Sequence, residues 1–81
     1  MPDDTIRLTL PPDADLAAVA SVAVRAAARQ VALSEQEIDR LRGAVVEVFT
    51  VQAESTDEPI LLVLHPARGH LRIEVGDEAI E

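Results

Sequence analysis

The sequence predicts an α+β two-layer sandwich, with two helices packed on one face of a small three-stranded sheet in the order β-α-α-β-β. Residues 5–10 and 71–75 alternate apolar and polar side chains with period two, as half-buried strands do. Residues 16–32 and 35–53 instead repeat their apolar side chains at helical spacing. A third run, "ILLVL" at 60–64, is apolar on both faces, as an interior strand should be. Two amphipathic helices beside such strands bury most apolar area by lying across one sheet face.

Each element follows from its residues. In "TIRLTL", Ile6, Leu8 and Leu10 face one way and Thr5, Arg7 and Thr9 the other, and "PPD" ends the ladder. Asp13 or Asp15 then caps a helix dense in Ala, the best helix former. Leu16, Val19, Ala20, Ala23, Ala27 and Val31 define its apolar face, with Ser21, Arg25 and Arg29 opposite. Ser34 and Glu37 have capping-box spacing and restart the chain as a second helix. Its stripe is Ile38, Leu41, Val45, Val48 and Gln52, with Ala44 and Phe49 at the borders. "VVEVFTV" also satisfies strand propensity, but the unbroken helical period from Ile38 through Val48 decides for helix. "ESTDEP" is a polar loop, "HPARGH" a turn, and "LRIEV" the return strand of a hairpin.

Composition narrows the function. The chain has 81 residues, which is one domain, 1–81, near the lower limit for a self-sufficient core. It has no Cys, so disulfides, thiol catalysis and Cys-ligated zinc are excluded. The formal charge is −8, and all 7 basic residues are Arg. Such a surface repels nucleic acid and anionic lipid, so neither is an expected partner. No apolar run reaches the roughly 20 residues of a membrane span. "MPDDTIRLTL" lacks the features of a signal peptide, and a cytoplasmic location is expected.

No catalytic constellation stands out. His65 and His70 flank the hairpin turn, too few for a zinc site, which needs three or four protein ligands. Ser21, Ser34 and Ser55 have no His or acid at triad spacing, and no metal ligand set is expected. None of Gly43, Gly69 and Gly76 belongs to a phosphate-cradling loop. Gly69 serves the turn. Gly43 lies inside the second helix, where close packing against the first is the expected reason for it.

Three phrases together resemble the anti-sigma-factor serine kinases of bacterial partner-switching systems, within the histidine-kinase-like, or Bergerat-fold, ATPase superfamily. They are "LPPDADLAAVASVAVRAAARQVALSEQEID", "IDRLRGAVVEVFTVQA" and "GHLRIEVGDEA". The second is similar to the family helix that reads roughly Leu-x-x-Ala-Val-x-Glu-x-x-x-Asn-Ala. The third is similar to the hairpin that carries Asp-x-Gly-x-Gly to the adenine. The resemblance implies a partial, truncated Bergerat-like fold.

Carried over by position, Glu47 matches the general base and Asp77 the adenine-contacting Asp. The magnesium-binding Asn falls on Val51, and the two glycines fall on Ala79 and Glu81. One carboxylate without a metal ligand or triphosphate cradle cannot position phosphoryl transfer. The resemblance therefore implies a non-catalytic pseudokinase with no cofactor, acting by protein–protein binding in sigma-factor control of transcription. Its partner would be a sigma factor or an anti-sigma antagonist. The interaction surface falls on the first helix and the junction 34–42, with Arg25, Arg29, Ser34, Glu37 and Arg40 as candidates. An uncovered strand edge also invites a homodimer. Two alternatives stay open: a residual nucleotide-binding regulator in which Asp77 contacts the adenine of ATP, and a small structural or dimerisation module unrelated to sigma control.

Overall fold

The computed structural model describes residues 4–80. Strand β1 (Ile6–Leu10) leads through a 3₁₀ turn (Ala14–Leu16) into α1 (Ala17–Gln30) and α2 (Glu35–Ser55), followed by β2 (Ile60–Ala67), β3 (His70–Val75) and β4 (Glu78–Ile80). The strands form one antiparallel sheet in chain order, β1-β2-β3-β4. Both helices pack on the same core, so the expected α+β sandwich is present.

The sheet has four strands, not three. Gly76 adopts a positive φ of 60°, which lets Gly76–Asp77 turn the chain so that Glu78 pairs with Val75 and Ile80 with Ile73. Residues 78–80 are too few to display an alternation, which hides this strand from the sequence. β2 also runs further than 60–64. Arg68 and Gly69, with φ 67° at the glycine, make a two-residue turn, so Ala67 pairs with His70 and His65 with Arg72. Pro66 tolerates a strand position because β1 pairs only as far as Leu64, leaving the proline beyond the end of that ladder.

Ile60, Leu62 and Leu64 of β2 and Leu71, Ile73 and Val75 of β3 point into the core and are buried. On the outer face Val63 is 8% exposed and Leu61 41% exposed. The apolar two-sidedness of β2 thus reflects its central place in the sheet, not a second covering layer.

The helix faces are rotated from the expected ones. α1 buries Ala17, Ala20, Ser21, Val24, Ala27 and Ala28, whereas Val19 lies out in solvent. Ser21 is tolerated inside because Arg42 of α2 donates its Nε–H to the Ser21 hydroxyl at 2.8 Å. α2 centres on Ile38, Leu41, Val45, Phe49 and Ala53, so Phe49 lies in the middle of the stripe and Val48 at its border. Burying the one aromatic ring outweighs burying one more valine.

The helix ends follow capping chemistry. Asp13 accepts the Asp15 backbone N–H at 2.9 Å, and Ser34 accepts that of Glu37 at 3.2 Å. At the end of α1, Leu33 N–H donates to Ala28 C=O and Ala32 N–H to Arg29 C=O, each at 3.3 Å. This is a Schellman motif. Its left-handed position, usually glycine, holds Ala32 with φ 58°.

Gly43 is not a close-packing position. A Cβ built there meets nothing within 4 Å, and the residue lies on the exposed side of α2.

Candidate functional site

The fold brings Glu47, Val51 and Asp77 together. Glu47, Val48, Val51 and Gln52 on one side of α2 face Asp77 and Glu78, from the β3–β4 turn and strand, across an open groove of about 270 Å³. Gln52 fixes the spacing. Its Nε2–H donates to Val75 C=O at 2.7 Å, while Gly76 N–H donates to Leu61 C=O at 2.8 Å. A Cβ at Gly76 would stand 2.2 Å from Gln52 Oε1, so glycine serves both the turn and this approach.

The groove's chemistry is one-sided. Among the described residues that line it, the ionisable side chains are the carboxylates of Glu47, Asp77 and Glu78. Val51, one helical turn beyond Glu47, is 62% exposed and offers only methyl groups. Among the described residues, no group of three or more His, Cys, Asp or Glu side chains is placed to hold a metal ion. Three carboxylates beside an alkyl wall make the groove electronegative.

Four of the predicted interaction residues, Arg29, Ser34, Glu37 and Arg40, lie around the helix junction. Ser34, Gln36, Glu37 and Arg40 line a shallow depression at the start of α2. Arg29 lies 3.9 Å from Glu35, and Arg40 lies 3.9 Å from Glu37. Ser34 is engaged as a cap. Arg25 stands exposed on α1, one turn before Arg29.

Sequence reasoning missed a cluster on the outer sheet face. His65 Nε2 hydrogen-bonds the Glu74 carboxylate, which also accepts from Arg72 Nη2 at 3.2 Å, and His65 Nδ1 lies 3.5 Å from Thr5 Oγ1. The His65 hydrogen bond is the largest influence holding the Glu74 carboxyl below its ordinary value; desolvation opposes it, and the His65 and Arg72 charges reinforce it. The cluster ties β2 to β3 across strands, with Thr5, just before β1, beside it. The hairpin register would have revealed it, but only with the turn placed at Arg68–Gly69.

No protein-family model, curated protein or solved structure matches the chain. Among the described residues, no helix is long and apolar enough to cross a membrane.

Proposed function

We propose that this chain is a non-catalytic regulatory protein that acts by binding another protein, and that its architecture is a degenerate, partial Bergerat-like fold. The observation that carries this reading is the α2–β4 groove, where Glu47 and Asp77 converge but Val51 stands where a metal ligand would be needed. With an alkyl side chain at Val51 and, among the described residues, no group of three or more acidic or imidazole side chains placed to hold a metal ion, the groove favours binding over phosphoryl transfer. The resemblance of the α2 and hairpin phrases to anti-sigma-factor kinases supports a sigma factor or an anti-sigma antagonist as the partner, in the cytoplasm. The net charge of −8 favours a basic surface on that partner.

The test is titration of the purified chain against the purified sigma factors and anti-sigma antagonists of its own genome by calorimetry. A saturable complex that Glu37→Arg weakens on the junction surface supports the reading. Absence of binding to every one of them overturns it and favours a module unrelated to sigma control. The convergence of Glu47 and Asp77 also favours a second reading, a residual nucleotide-binding regulator, which nucleotide titration separates from the first.

A further inference from the structure

Both helices pack on one face of the sheet, and no described element covers the other. The strand registers turn Arg7, Leu61, Val63, His65, Arg72 and Glu74 to that outer face, with His70 at its end. Leu61 is 41% exposed there, and Arg7, Arg72 and His70 are exposed as well. The charge of this face is opposite to that of the chain. Its strands carry Arg7, Arg72 and both histidines of the sequence against one carboxylate, whereas the whole chain stands at −8. That carboxylate, Glu74, is engaged by His65 and Arg72, so no free acid of the outer face repels an anion. Arg72 spends one of its five N–H groups on Glu74. Arg7, beside Val63, has no ion-pair partner among the described residues.

We propose that the outer sheet face docks a short acidic, amphipathic segment of a partner protein. Val63 and Leu61 meet its apolar side chains, and Arg7 and Arg72 take carboxylates on either side. The register sets the spacing. Arg7 pairs with Val63 and Val63 with Glu74, two residues from Arg72, so the two arginine stems leave the sheet about 12 Å apart. Residues i and i+7 of a helix lie on one face about 10 Å apart, a distance that the long arginine side chains match.

The size of the charge selects the occupant. Two arginines accommodate a segment with two or three carboxylates. A nucleic acid needs many phosphate contacts and aromatic platforms, and the one aromatic ring of this chain, Phe49, is buried in the core. A second copy would bring its own charge of −8 against the first. The face lies on the opposite layer from the helix junction, so the inference does not depend on the partner proposed above.

Fluorescence anisotropy with a labelled helical peptide tests it. The probe carries two Glu seven positions apart with Leu between them on the same face, and a second peptide carries Gln in place of Glu. The Glu peptide should bind with a dissociation constant on the order of 10–1,000 μM, as a contact well under about 1,200 Å² does. The Gln peptide should bind on the order of tenfold more weakly, and added salt should weaken the Glu peptide. Arg7→Gln should cost the Glu peptide on the order of tenfold. Val22→Glu, at a side chain 64% exposed on α1, brings the chain to the same net charge and should leave the affinity unchanged. Both side chains are exposed, so circular dichroism of each variant should match the wild type. No binding of the Glu peptide at millimolar concentration, equal binding of the Gln peptide, or equal losses in Arg7→Gln and Val22→Glu overturns the proposal. Single-stranded DNA bound more tightly than the Glu peptide, or a sedimenting dimer that Arg7→Gln dissociates, assigns the face to another occupant and overturns it as well.

Discussion

Gly43 offers the sharpest test of how this fold is stabilised. It sits well inside α2, with helical residues for more than a turn on each side. A glycine there costs on the order of 1 kcal/mol relative to alanine, because more backbone freedom is lost on folding. Glycine usually offsets that cost by letting another chain segment approach. Here a Cβ would meet nothing within 4 Å, and the position is exposed. Gly43→Ala should therefore recover most of the penalty, a stabilisation of about 0.4–1 kcal/mol. In a domain of this size, 1 kcal/mol corresponds to a rise in Tm of about 4–8 °C. Urea titration followed by far-ultraviolet circular dichroism gives the free energy, and the m-value should stay constant while the midpoint rises. An unchanged or lowered midpoint would refute the reasoning, since it would require a neighbour at Gly43 that the packing of α1 and α2 does not supply.

Three further substitutions follow from local geometry. Ala32 occupies a left-handed position that costs an L-residue on the order of 1 kcal/mol, so Ala32→Gly should raise the urea midpoint by about the same free energy. Gly76→Ala should do the reverse, by about 2 kcal/mol, from its φ of 60° and the displaced Gln52–Val75 hydrogen bond; in a Gln52→Ala background the loss should shrink to the backbone part. For Glu74, the folded carboxyl titrates below its ordinary 4.5, so its stabilising contribution is complete above that pH and is lost as pH falls from 4.5 through the folded value. Urea midpoints measured across that acid range should fall less steeply in Glu74→Gln than in the wild type, and parallel curves would refute the role of the His65–Glu74 contact.

Much of the architecture was legible because hydrophobic period and strand or helix length agree. Ile6, Leu8 and Leu10, and again Leu71, Ile73 and Val75, declare a buried face without any tertiary information. The rotation of α1 was not legible. Alanines occur all around that helix, and the choice between Val19 and Val24 as the inward valine is made by the sheet beneath. Ser21 could be read as a surface residue only while its partner, Arg42 on the other helix, was unknown. "HPARGH" reads as a turn, whereas β2 runs on through Pro66 to Ala67, because a proline is tolerated where β1 no longer runs alongside. β4 is three residues long and follows from the conformation of Gly76, not from a pattern.

The site was legible in a different sense. Nothing in spacing alone joins Glu47 to Asp77, thirty residues apart in sequence; the family resemblance named both, and the packing of α2 beside the β3–β4 turn sets them on one groove. The His65–Glu74–Arg72 cluster had no such guide, because its members meet only when the hairpin register is known.

Thermal unfolding with and without millimolar ATP or ADP and magnesium tests the central claim most directly. A ligand that binds only the native state stabilises it by RT ln(1 + [L]/Kd), about 2.7 kcal/mol at a hundredfold excess over Kd. The proposed reading, in which Val51 falls where the family resemblance would put the magnesium ligand, predicts no shift. A clear upward shift, abolished by Asp77→Ala, would contradict the account and assign the groove to a nucleotide.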